Sequence, residues 1–174
     1  SATPSPWDWF GIRSRGNSSR ITLAHCVIEF ADYAVYDEYD ADLLVDHCSI
    51  TSHGYYGVYM QKNFFSGVAH RGVVKNSLIN GSYPYTYDYG YGIYVDISRW
   101  ESTPVDIRIE DNTIRFHQYG IRLYPCGYTF NLTIARNTVT DNYYGITHDG
   151  YIADSSSLTI LQNNVTSNQY GLRL

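Results

Sequence analysis

The sequence predicts an all-β solenoid, a single-stranded parallel β-helix of about seven coils with three short strands in each. Three observations carry that prediction. An aromatic-small-aliphatic triplet recurs as Phe10-Gly-Ile12, Tyr33-Ala-Val35, Tyr56-Gly-Val58, Tyr91-Gly-Ile93, Tyr119-Gly-Ile121, Tyr144-Gly-Ile146 and Tyr170-Gly-Leu172. A corner marker recurs with it at Cys26, Cys48, Asn76, Asn112, Asn137 and Asn163, at separations of 22, 28, 36, 25 and 26 residues. The composition, 19 Tyr and 14 Gly against one Met, suits strands and turns and lacks helix signals.

Residues 106–123 show the unit in its clearest form. Ile107 and Ile109 flank Arg108, the period-two pattern of a half-buried strand. Glu110-Asp-Asn112 makes a corner, 113–116 a second strand, His117-Gln-Tyr-Gly120 a second corner, and 121–124 a third strand. Glycine in the triplet is expected where the backbone turns sharply or takes a positive φ. One such unit cannot bury its own apolar side chains, whereas stacked units form three parallel sheets around a continuous core. Asn at the first corner can then bond along the axis as a ladder, with Cys26 and Cys48 replacing it at one end. On neighbouring strands those two cysteines are expected as stacked thiols, a bridge being the alternative.

These residues resemble the right-handed parallel β-helix repeat proteins, pectate-lyase-like in architecture. The Asn-x-Ile…Tyr-Gly-Ile rhythm is that of NosD-like and carbohydrate-binding and sugar hydrolysis repeats, and the Tyr- and Asn-rich composition is similar to archaeal surface proteins of the disaggregatase type. The resemblance spans residues 7 to 174 and implies a fold and a right hand. It carries over no catalytic residue, because the paired-Asp and Gly-His-Gly signatures of polygalacturonases and the pectate-lyase calcium and Arg motifs are missing. Residues 1–174 read as one domain without terminal caps, expected to be a piece of a longer protein or a unit that associates end to end or laterally.

A net charge of −5 gives no electrostatic case for nucleic acid. No apolar run approaches a membrane span of about 18 residues. Sequons at Asn17, Asn80, Asn131 and Asn164 suit an extracellular or cell-surface protein, although Asn-rich repeats also generate them by chance.

Insertions at 62–72, 80–90, 98–104, 125–129 and 150–157 flank the sheet of third strands and mark its outer face as a groove floor. Alternation places Tyr36, Tyr59, Tyr94, Arg122 and Thr147 on that floor, with Arg13 and Arg173 beyond, and Glu38, Gln61, Asp96, Tyr124 and Asp149 in a parallel column. Tyrosines offer flat surface and a hydroxyl to sugars, and Arg a fork for uronate or sulfate. Tyr36, Tyr59, Tyr94, Tyr85, Tyr87 and Gln61 are therefore the expected polysaccharide-binding residues. Stacked tyrosines that merely stabilise the solenoid are the alternative.

If the protein is an enzyme, a polysaccharide lyase or a glycoside hydrolase is expected. Asp96 and Asp149, two coils and roughly 10 Å apart, approach the ~6.5–9.5 Å of an inverting pair. Tyr94 or Tyr124 with Arg122 would serve a lyase as base and neutralising group. No metal or other cofactor is expected. His25 and His47 with Cys26 and Cys48 have ligand types suited to zinc or copper, but alternation points them to opposite faces. The run 37–42 holds oxygen ligands suited to calcium and reads first as a solvated acidic loop. His148, in line with Met60, Val95 and Leu123, reads as a core imidazole.

Overall fold

The structure is a computed structural model that describes residues 3–5, 7–16, 19–38, 41–62, 70–82, 90–97, 105–125 and 129–174. A strand β1 (Ile12–Arg15) leads into six coils of three strands. They are β2–β4 (Arg20–Ala24, Val27–Glu29, Tyr33–Glu38), β5–β7 (Asp42–Asp46, Ser49–Thr51, Tyr56–Gln61), and β8–β10 (His70–Lys75, Leu78–Asn80, Tyr91–Ile97). There follow β11–β13 (Val105–Glu110, Thr113–Arg115, Tyr119–Pro125), β14–β16 (Phe130–Ala135, Thr138–Thr140, Tyr144–His148) and β17–β19 (Ser157–Leu161, Asn164–Thr166, Tyr170–Arg173). The expected seven coils become six because β1 alone stands for the first triplet among the described residues.

Every strand pairs in parallel with its equivalent one coil away. The first sheet runs β2-β5-β8-β11-β14-β17, the second β3-β6-β9-β12-β15-β18, and the third β1-β4-β7-β10-β13-β16-β19. Val35, Val58, Ile93, Ile121 and Ile146 point inward, fully buried, as alternation required. Ile50, Ile79, Ile114 and Val139 meet them from the second sheet, and Val45, Val74, Ile109 and Ile134 from the first. Like residues stack on like, so the core is a set of aliphatic columns.

The corners are where the unit is most demanding. At the first, His25, His47, Asn76, Asp111, Arg136 and Gln162 all take φ between 50° and 57°, a left-handed conformation that costs L-residues about 1 kcal/mol or more. The next residue offsets that cost by hydrogen bonding along the axis. Asn137 Oδ1 accepts from the Asn112 N–H and Nδ2, each at 3.0 Å. Asn163 Oδ1 does the same for Asn137 at 2.9 Å, and Asn137 Nδ2 donates to Ile109 O at 2.8 Å. The ladder continues through Ser77, whose N–H donates to Asn112 Oδ1 at 3.0 Å and whose hydroxyl accepts from the Cys48 N–H at 3.0 Å. Ser77, rather than Asn76, is thus the corner marker of its coil. Asn76 occupies the left-handed position, and its side chain donates outward to Asp46 at 2.9 Å. Cys26 and Cys48 are free thiols.

A second ladder runs along the other corner. Asn142 Oδ1 accepts from the His117 N–H at 3.0 Å, and Asn168 Oδ1 from the Asn142 N–H at 2.9 Å. Substituting Asn137, which is buried and bonded on both sides, strands several backbone groups at once. Asn137→Ala is expected to cost about 2–4 kcal/mol in urea unfolding.

Gly11 takes a positive φ of 114°, whereas Gly57, Gly92, Gly120 and Gly145 serve close approach and not positive φ. Gly92 lies outside the left-handed region, but a Cβ there would come within 2.5 Å of Gly120 O and 2.6 Å of Ile114 Cγ2. Coils this tightly nested leave no room for a side chain at that point.

Candidate functional site

The outer face of the third sheet carries the columns that alternation placed there. Arg13, Tyr36, Tyr59, Tyr94, Arg122, Thr147 and Arg173 follow one another in register across β1, β4, β7, β10, β13, β16 and β19. Gln61, Asp96 and Tyr124 align in the parallel column. Tyr85 and Tyr87 lie outside the described residues. Thr147, though in the outward column, is buried.

The rings of Tyr36, Tyr59 and Tyr94 stack on each other, with centroids 4.9 and 5.1 Å apart. An arginine closes each end of this stack. Arg13 lies 5.2 Å from the Tyr36 ring and Arg122 5.7 Å from the Tyr94 ring. Each arginine is held by a carboxylate. Arg13 Nε donates to Glu38 at 2.6 Å, and Arg122 Nε to Asp149 at 2.9 Å. Ring faces are therefore covered, and the sheet presents ring edges and hydroxyls. Of the insertions expected to wall a groove, 63–69, 83–89, 98–104 and 126–128 lie outside the described residues.

A second aromatic column, made of the first residue of each triplet, lies beside it. Phe10, Tyr33, Tyr56, Tyr91, Tyr119, Tyr144 and Tyr170 stack without interruption at 4.8 to 5.2 Å. Tyr56 meets Tyr59 at 4.9 Å and Tyr91 meets Tyr94 at 5.2 Å, which fuses the columns over the central coils. The sequence carried this signal in the triplet itself, which served there only as a ruler for the repeat.

Polar groups on this face are largely engaged by one another. Tyr59 Oη donates to Asp96 at 3.2 Å. Arg122 Nη1 donates to Tyr91 Oη at 2.9 Å and its guanidinium lies 4.7 Å from the Tyr119 ring. Burial, reinforced by the Asp96 charge, pushes the Tyr94 hydroxyl up to about 12 and the Tyr59 hydroxyl further in the same direction. Both phenols stay protonated at neutral pH, as hydrogen-bonding groups and not as bases.

In the acidic run 37–42, Asp37, Glu38 and Asp42 each have a cationic partner, while residues 39–40 lie outside the described residues. Lys62, fully buried, pairs with Asp37 and donates to Ala41 O, while Asp37 Oδ1 accepts from the Ala41 N–H at 2.9 Å. Glu38 is taken by Arg13 and Arg15, and Asp42 faces Arg20 at 3.5 Å. Their carboxylates already have cations, so calcium ligation by this stretch would have to displace them. Among the described residues no group of three or more His, Cys, Asp or Glu is placed to hold a metal. His25 and His47 stack at 5.0 Å, and His47 Nδ1 bonds Asp46 at 2.6 Å.

Behind the third sheet's corner lies a pair that the sequence did not bring together. His53 and His117, both buried, sit with their Nε2 atoms 3.1 Å apart. Gly81, in the coil between them, makes this possible, since a Cβ there would lie 2.8 Å from His117 Cδ2. His117 Nδ1 bonds Asn142 Oδ1 at 3.2 Å. As that oxygen can only accept, His117 carries its proton on Nδ1 and accepts from the His53 Nε2–H. His148 sits beside Leu123 in register but is only half-buried, with Nε2 lacking a hydrogen-bond partner.

Residues 10–174 match the right-handed beta helix region family. The chain belongs to that family. Neither a curated protein nor a solved structure matches the chain. As a right-handed β-helix it has an architecture consistent with a carbohydrate-binding or surface module, and the family match supplies no reacting group.

Proposed function

We propose that this β-helix is an extracellular or cell-surface module that binds polysaccharide along the tyrosine-edged strip of its third sheet, without cleaving it. The observation that carries this reading is the row of phenol edges at Tyr36, Tyr59 and Tyr94, repeating about every 5 Å along a rigid axis. A phenol that stays protonated both donates and accepts, which matches sugar hydroxyls. A straight strip suits a polymer better than a small molecule.

Both carboxylates of the expected inverting pair are otherwise occupied. Asp149 is held by Arg122, and Asp96 accepts from Tyr59. Tyr94, pushed up to about 12, is poorly suited to take a proton from a sugar carbon. The second reading, a structural module in which the ladders serve only stability, is favoured by the unbroken stack from Phe10 to Tyr170.

Tyr→Phe substitutions separate the two readings, because Phe preserves the stack and removes only the hydroxyl. The double variant Tyr59→Phe/Tyr94→Phe is expected to keep its melting temperature within a few degrees. Its affinity for the polysaccharide that the wild type binds best should fall about tenfold or more, each lost hydrogen bond contributing about 0.5–1.5 kcal/mol. Unchanged affinity in affinity electrophoresis would remove the strip from the binding site.

A further inference from the structure

The outer face of the first sheet is a second surface, remote from the tyrosines, with a charge pattern that complements itself. Across β2, β5, β8 and β11 one outward column reads Arg20, Asp42, Arg71, Asp106, alternating in sign at each coil. The column at the other edge reads Ala24, Asp46, Lys75, Glu110. Between them lie Thr22, Leu44, Val73 and Arg108, so only the two middle positions, Leu44 and Val73, are apolar. The arginines are exposed, at 75% for Arg20 and 70% for Arg71. They rim a shallow, open depression of about 950 Å³.

We infer that this face pairs with the same face of a second copy of the chain, in an antiparallel dimer whose twofold axis runs along the strands between β5 and β8. A twofold axis in that direction reverses coil order and keeps strand position. Arg20 then meets the partner copy's equivalent of Asp106, Asp42 meets that of Arg71, and Asp46 meets that of Lys75. Leu44 is set against the equivalent of Val73 at the centre. The parallel arrangement, with the axis along the solenoid, sets Asp42 against Asp46, Arg71 against Lys75 and Asp106 against Glu110, three like-charge contacts. Charge thus selects one of the two closed dimers.

The neighbouring charges already pair within the chain. Arg71 lies 3.9 Å from Asp106, Lys75 3.3 Å from Asp46, and Arg108 3.3 Å from Asp106. Exposed pairs of this kind are worth little, so they leave most of the field free to act across an interface. With the axis between β5 and β8 only β2, β5, β8 and β11 face their equivalents. Four strands about 4.8 Å apart and about five residues long give about 300 Å² per copy, well below the ~800 Å² of a standard interface. The dimer is accordingly weak and dependent on ionic strength.

Sedimentation velocity from 10 µM to 1 mM at 50 mM and 500 mM NaCl tests this. Concentration-dependent dimer at low salt, weakened at least tenfold at high salt, is the expected result. Asp42→Arg sets Arg against Arg71 of the second copy and should abolish the dimer. Adding Arg71→Asp restores opposite signs and should restore it, with circular dichroism confirming the fold of both variants. A monomer under every condition, open-ended higher oligomers, or a dimer indifferent to Asp42→Arg would overturn the proposal.

Discussion

Lys62→Met is expected to destabilise the protein by about 3–5 kcal/mol, the largest single effect of any side chain considered. The Lys62 and Asp37 side chains have no solvent exposure. Burial pushes the Asp37 carboxyl up from its ordinary range despite the pull of Lys62, so desolvation outweighs attraction at this site. The pair is therefore costly to break and adds little net stability while intact. Removing only the ammonium leaves Asp37 buried without its cation and Ala41 O without its donor. In Asp37→Asn/Lys62→Met the amide still accepts from the Ala41 N–H and no charge remains, so at least half of the lost stability should return. Urea unfolding of both singles and the double completes the cycle. Additive losses would show that the two groups do not act as a pair.

Acid is expected to unfold the protein through His53 and His117. Desolvation brings His53 down to about 4, and holds His117 well below 6.5 with the adjacent His53 adding to the effect. Both imidazoles are neutral in the fold and take up protons near pH 6.5 once unfolded. Their contribution is therefore complete above pH 6.5 and is lost as the pH falls below it. Two protons give a slope of up to about 3 kcal/mol per pH unit below about pH 6.5, for as long as both imidazoles stay neutral in the fold. His117→Asn, which continues the corner ladder of Asn142 and Asn168, should halve the slope when unfolding free energy is followed from pH 7 to 4. An unchanged slope would mean that other groups set the acid limit.

The fold was legible in the sequence because a solenoid repeats its physics. The triplet fixes strand position and direction, so the Tyr36–Tyr59–Tyr94–Arg122 column followed from alternation alone. Asn76 was misleading for a local reason: two polar residues adjoin at that corner, and only the backbone shows which takes φ 50° and which turns inward. Contacts between coils at different strand positions were not legible. Lys62 reaches Asp37 and Ala41 across 25 and 21 residues, and His117 reaches His53 past a coil that contributes only Gly81. No periodicity marks such pairs. Nor does alternation show that outward tyrosines will cover each other's faces.

The most direct test of the binding role is an affinity measurement on the intact protein against a panel of uronate-containing and neutral polysaccharides, with reducing ends and unsaturated-product absorbance followed in the same samples. Saturable binding to at least one polymer, with neither product signal rising, is the expected result. No binding across the panel, or release of either product, would contradict it.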